Sequence, residues 1–210
     1  MKILEVKPLV IPDVKVIKCG RFGDNRGYFT EPFRYSEFQK IIPDFSIKQV
    51  NESYSQKGVV RGLHLQWNPF MGKLVRTVKG HMVDLFLDLR KGSTTYGKIA
   101  AYEMPANQQY EYFEWIWIPV GFAHGNFYLE DTIIEYFCTS EYAPGCEAGI
   151  SPLSKDLDWS LCNPSIKSKL NTLIKNGPII SEKDQKGFSL GEWAKNPNSE
   201  KFIISVLNTA

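Results

Sequence analysis

The sequence predicts an all-β domain, a sandwich or barrel of short strands with a few short helices. Short strand-like segments recur at close spacing, turn-forming Gly, Asn, Pro and Asp separate them, and helical periodicity is scarce. The clearest segment is VDLFLDLR, residues 83–90, where Val83, Leu85, Leu87 and Leu89 alternate with Asp84, Phe86, Asp88 and Arg90. A period of two marks a strand, here expected to bury one face.

The other strands follow in chain order. SIKQVNES (46–53), VVRGLHLQ (59–66) and KLVRTVKG (73–80) come before it. YGKIAAYEM (96–104), EYFEWIWIP (111–119), GNFYL (125–129) and TIIEYFCTSEY (132–142) come after, each bounded by turn residues. SEFQKIIPDF suggests one short helix capped by Ser36 and stopped by Pro43, and SKLNTLIKN a second, with Leu170, Leu173 and Ile174 at helical spacing. From Gly187 onward the chain turns polar, so 187–210 reads as an appendage of uncertain structure beyond a main domain spanning 1–186.

The chain has 210 residues, enough for one domain with a sizeable core. Its 25 basic and 23 acidic side chains leave a formal charge of +2, which gives no electrostatic reason to expect nucleic acid or an anionic membrane as partner. Cys19, Cys138, Cys146 and Cys162 form no C-x-x-C pair and fit reduced thiols in a cytoplasmic protein. The opening MKILEVKPLVIPDVKVIKCG is interrupted by charge and proline, so neither a signal peptide nor a spanning helix is expected there.

There are three histidines, His64, His81 and His124. A mononuclear metal site in a small barrel often uses two histidines at i and i+2 of one strand, but Gln66 takes that position, so no metal is expected. His81 follows Gly80 and reads as a turn residue. In WIPVGFAHGNF, Pro119 and Gly121 precede His124 and Gly125 removes bulk behind it, which suits presentation at a barrel mouth. Strict alternation would place Gly62, His64 and Gln66 on one face and Arg61, Leu63 and Leu65 on the other. Local sequence leaves roles open: His64 as a satisfied core residue, Lys73 as a solvated strand edge, Tyr136 as a wall residue, Asp184 as a helix cap, Arg26 as a turn residue and Tyr142 as a loop anchor.

Taken together, FGDNRGYFTE (22–31), QVNES (49–53), VVRGLHLQ followed by GKLVRTVKG, VDLFLDLR, IPVGFAHG (118–125), EYFCTSEYAP (135–144) and SEKD (181–184) resemble the dTDP-4-dehydrorhamnose 3,5-epimerase family. The match runs in order from about residue 10 to about residue 185. It implies a cupin jelly roll, a double-stranded β-helix, without metal or other cofactor. It also implies a homodimer exchanging N-terminal strands, and a nucleoside-diphospho-4-keto-6-deoxy sugar as substrate.

By the same resemblance His64 is the catalytic base and Asp184 the carboxylate directed at it. Lys73 stabilises the enolate oxygen, and Tyr136 donates a proton on the opposite ring face. Phe22, Arg26, Phe29 and Glu31 resemble the segment lent across the dimer. Gln49, Asn51, Arg61, His124 and Tyr142 resemble ligand contacts, Tyr142 near the nucleotide base, and Asp84 an acid able to pair with Lys73. Asn126 stands where members of the family usually carry an aromatic residue, and WNPFMGK is an unusual loop ahead of Lys73.

The chemistry suits these residue types. Removing a proton beside a ketone needs a base titrating near neutral pH, a cation where negative charge grows, and a donor on the other face. The expected reaction inverts C3, C5 or both. Rival readings are a cupin 3,4-ketoisomerase and a sugar-nucleotide-binding cupin without turnover.

Overall fold

A computed structural model describes residues 1–43, 45–106 and 111–207. In chain order the strands are β1 (Ile3–Pro8), β2 (Lys15–Gly20), β3 (Phe22–Asp24), β4 (Gly27–Phe29), β5 (Gln49–Ser55), β6 (Val59–Gln66), β7 (Lys73–Lys79) and β8 (His81–Asp88). They continue as β9 (Ile99–Pro105), β10 (Tyr112–Ile118), β11 (Phe122–Tyr128), β12 (Thr132–Cys138), β13 (Glu147–Gly149) and β14 (Ile179–Ile180). The helices are α1 (Tyr35–Phe38), α2 (Pro164–Lys175), α3 (Glu182–Gln185), α4 (Leu190–Lys195) and α5 (Ile204–Leu207), with a 3-10 turn over Pro197–Phe202.

The strands form two stacked sheets, the cupin jelly roll. One runs β1-β2-β10-β7-β12-β5 and the other β13-β6-β11-β8-β9, with β14 parallel to β6 and β3–β4 as a separate hairpin. Between them lie Val75, Ile116 and Ile134 from the first sheet against Met82, Phe86 and Phe122 from the second. The outer face of the second sheet is covered by α2 and the C-terminal segment, and that of the first by residues around α1, including Phe38, Ile42 and Phe45.

The central strands, β8 and β11 above all, are therefore buried on both faces, which alters the reading of VDLFLDLR. Val83, Leu85 and Leu87 pack outward under α2, while Phe86 points between the sheets, and Asp84 and Asp88 are fully buried. The polar half of the alternation is an interior of another kind: buried carboxylates require partners, and these have them. Asp88 accepts hydrogen bonds from Arg90, Ser93 and Thr95. The β1 and β2 strands escape a local reading because charges and prolines interrupt them, and pairing with β10 supplies the missing context.

The expected helices form with different ends. α1 is a single turn with Arg34, not Ser36, at its cap position and no side-chain cap. α2 starts earlier than its apolar spacing suggests, because Asn163 accepts a hydrogen bond from the Ser165 amide and Pro164 opens the helix.

The described part of 187–210, a segment read from sequence as an appendage of uncertain structure, packs on the core of the second sheet. Its polar composition hides well-spaced anchors: Trp193 and Phe202 are fully buried and Leu207 nearly so. The Trp193 ring packs at 6.0 Å from Trp67 and 5.6 Å from Phe202. Ser189 and Glu192 close a capping box that starts α4 and brings Trp193 inward. Trp193→Ala is expected to destabilise the fold by about 3–5 kcal/mol, read from urea unfolding followed by circular dichroism. An unchanged midpoint would detach this segment from the core. Among the described residues no helix is long and apolar enough to cross a membrane.

Candidate active site

One end of the space between the sheets opens into a cavity with two lobes. The outer lobe, about 280 Å³, includes Gln49, Asn51, Tyr142, Glu147 and Lys183 in its wall. The inner lobe, about 150 Å³, includes Ser53, Arg61, His124, Asn126 and Ile134. His64, Lys73 and Tyr136 line both.

The two sheets contribute different chemistry. β6 of the second sheet supplies His64, and neighbouring strands β7 and β12 of the first supply Lys73 and Tyr136. Lys73 pairs in register with Cys138, two residues along from Tyr136, so both side chains rise from one face of the first sheet. Asn51 pairs with Tyr136 and Gln49 with Cys138, extending that face across β5.

His64 Nε2 lies 2.7 Å from Asp184 Oδ1, and the other carboxylate oxygen accepts the Gly62 amide at 3.2 Å. Ser181, not Asp184, caps α3, accepting the Asp184 amide with its hydroxyl. The carboxylate is thus free to turn under the imidazole. Burial alone would raise the Asp184 pKa, but the hydrogen bond and charge of His64, together with the Gly62 amide, hold it below the ordinary carboxylate value.

A depressed folded pKa adds stability above the unfolded value of about 3.9, and that stability is lost as pH falls through the folded one. The difference in thermal midpoint between wild type and Asp184→Asn is accordingly expected to hold from pH 7 to pH 5 and narrow below about pH 4. A pH-independent difference would contradict an ionised Asp184 held by these contacts.

Strict alternation fails on β6, and the failure builds the site. Arg61 and His64 both face the inner lobe, whereas Leu63 and Leu65 pack in the outer core. In register, Asn126 pairs with Arg61 and His124 with His64, so β6 holds one residue more than β11 over the same span. Gly62 has φ +105°, and a Cβ there would meet the Gly125 Cα at 2.7 Å; a Cβ on Gly125 would meet the Arg61 carbonyl oxygen at 2.4 Å. Only two glycines let the strands approach closely enough for this phase change. Arg61 is held by Ser55 Oγ at 2.9 Å and the Tyr54 carbonyl at 3.2 Å.

Beneath the inner lobe, Asp84 Oδ2 lies 2.8 Å from His124 Nε2 and accepts Asn126 Nδ2 at 3.0 Å. Burial pushes the Asp84 carboxyl up and the His124 imidazole down, each against the pull of the other. Burial also lowers the Lys73 ammonium, more than Cys138, Asp84 and Glu147 together restore, and raises the Tyr136 phenol. A phenol held above its usual value stays protonated near neutral pH and can donate. His81 lies apart, 2.8 Å from Glu103. Among the described residues no cluster of three or more His, Cys, Asp or Glu is placed to hold a metal.

A family profile described as dTDP-4-dehydrorhamnose 3,5-epimerase matches residues 8–192. The chain belongs to the dTDP-4-dehydrorhamnose 3,5-epimerase family. Members of this family are isomerase-class enzymes, and so is this protein. A relative of that name from Sinorhizobium fredii is 41% identical over 187 residues, 88% of each chain. One from Neisseria gonorrhoeae is 38% identical over 197 residues, and there the chain spans 55% of the relative's length. A Legionella pneumophila epimerase solved in complex with dTDP-4-keto-L-rhamnose superposes with a TM-score of 0.75 at 31% identity, over 89% of this chain and 93% of that one. ChmJ, a 3'-monoepimerase from Streptomyces bikiniensis solved in complex with dTDP-quinovose, gives 0.76 at 27% identity, over 90% and 89%.

Of the residues the family resemblance singles out, His64, Lys73, Tyr136, Gln49, Asn51, Arg61, His124 and Tyr142 line the cavity, and Asp184 backs His64. Phe22, Arg26, Phe29 and Glu31 do not line this chain's own cavity lobes. Phe22 and Phe29 are exposed on the β3–β4 hairpin, Arg26 pairs with Asp24 at 2.6 Å, and Glu31 pairs with Arg34 and the N-terminal amine. Gln66, Met71, Glu147 and Lys183 also line the outer lobe and were not among the expected site residues. Lys183 lay within the SEKD motif, but Glu147 sits on a three-residue strand with no sequence signal of its own.

Proposed function

We propose that the protein inverts C3, C5 or both in a nucleoside-diphospho-4-keto-6-deoxy sugar through an enolate, the dTDP-linked sugar being the first to test. The carrying observation is that His64 and Tyr136 rise from opposite sheets into the one cavity that Lys73 also lines. A hexose ring between the sheets presents one face to each.

His64 removes the proton beside the ketone, and Asp184 fixes its tautomer and stabilises the imidazolium that forms. Lys73 stabilises the developing enolate oxygen. Tyr136 returns a proton from the other side, inverting the centre. The nucleotide occupies the outer lobe, where Gln49, Asn51 and Tyr142 lie, and Arg61 and His124 hold the sugar end. The exposed hairpin with Phe22, Arg26 and Phe29, and Glu31 beyond it, serves the cavity of a second copy in a homodimer.

The test is NMR in deuterated solvent on a small panel of 4-keto-6-deoxy sugar nucleotides, with no added cofactor. Deuterium entering at C3 or C5 with inversion is the expected result. A carbonyl displaced to C3 would instead identify a ketoisomerase, and binding without exchange a non-catalytic cupin. Tyr136→Phe is expected to keep exchange while losing inversion, because His64 can still take a proton and return a deuteron to the same face; retained inversion would remove Tyr136 from the donor role.

A further inference from the structure

Gln66 occupies the position that would complete a histidine pair in a metal-binding strand, and the chemistry above leaves it without a part. It is 6% exposed, and its amide is fully engaged. Nε2 lies 2.9 Å from the Pro69 carbonyl, 3.0 Å from the Glu141 carbonyl and 3.2 Å from Ser140 Oγ, while Oε1 accepts the Ala143 amide at 2.9 Å.

These partners belong to two loops. Pro69 lies in the WNPFMGK loop that leads into Lys73, and residues 140–143 form the loop that carries Tyr142 to the cavity mouth. The loops are also tied directly, Gly72 N to Thr139 Oγ1 at 2.8 Å and Thr139 N to the Gly72 carbonyl at 3.0 Å. From the opposite sheet, Gln49 Oε1 accepts the Tyr142 amide at 2.8 Å. Tyr142 itself is 51% exposed, so its own burial does little to fix it. Gln49 thus holds its amide, and Gln66 from the other sheet holds the residues on either side of it, Glu141 and Ala143.

We propose that Gln66 is a positioning residue for the nucleotide end of the substrate: by clasping the loop before Lys73 to the loop bearing Tyr142, it fixes the rim of the outer lobe. This rests on the reading of that lobe as the nucleotide site. An amide suits the task because it donates and accepts at once, and a histidine could not reach three acceptors and a donor together.

The test compares wild type with Gln66→Met, which keeps length and packing but loses all four contacts. Loosening the rim costs binding in ground and transition states alike, so KM and the Kd for dTDP are expected to rise about tenfold or more while kcat stays within about twofold. Gln66→Glu, the second variant, keeps the acceptor for Ala143 but has no donor when ionised. Its KM is expected to be high at pH 8 and to fall toward wild type as the carboxyl protonates and regains one O–H donor, with circular dichroism and kcat relative to wild type unchanged over that range, which a merely structural role would not produce. Unchanged KM and Kd, or a loss confined to kcat, would overturn the assignment. If wild type itself fails to bind dTDP, the outer lobe is not a nucleotide site and the parent reading fails with it.

Discussion

His64→Ala is expected to abolish solvent deuterium exchange at both carbons of the keto sugar, with turnover falling by roughly 10²–10⁴. In the proposed mechanism the substitution removes the group that takes the proton, so neither exchange nor inversion is expected to survive, whereas Tyr136→Phe is expected to spare exchange. His64 is partly exposed at the cavity wall, so a smaller side chain leaves an opening toward solvent rather than a hole in the core. The fold should persist, and circular dichroism with dTDP binding would separate lost chemistry from lost structure. Wild-type exchange rates in His64→Ala would move the base elsewhere in the cavity.

Lys73→Met is the second large effect, a fall in kcat of about 10²–10³, equivalent to about 3–4 kcal/mol of transition-state stabilisation. Methionine fills a similar length without the charge. In the proposed mechanism Lys73 acts on the ketone oxygen only as charge develops there, so kcat and kcat/KM should fall together with little change in Kd for dTDP. Burial already lowers the Lys73 ammonium. A variant with normal kcat and raised KM would make Lys73 a binding group instead.

Much of the fold was legible along the chain because a strand signals itself locally. The alternation over 83–90, the apolar runs over 111–119 and 132–138, and the turn residues between them are set by the two-residue repeat of extended backbone. β1 and β2 were not legible that way: their pattern is interrupted, and β10 completes it from a distance. The C-terminal segment was left unassigned because polarity averaged over 187–210 conceals Trp193, which packs on Trp67, far away in the chain, as well as on nearby Phe202.

The candidate site divides in the same way. Ordered motifs identified the family, and the resemblance pointed to His64, Lys73, Tyr136 and Asp184 as the residues proposed to react. The sequence could not decide which face Arg61 would take, since that turns on an extra residue in β6 accommodated by Gly62 against Gly125. Nor could it show that Gln66 clasps two loops or that Asp84, His124 and Asn126 form one buried group. By itself the sequence determined the all-β class and the family and named the side chains proposed to react; the tertiary structure alone decided their convergence, the phase change on β6 and the burial of the central strands on both faces. The reason is distance: local periodicity is written over a few neighbouring residues, whereas a cavity between sheets joins side chains as remote in the chain as Gln49 and Lys183, and sets His64 against Asp184, 120 positions away.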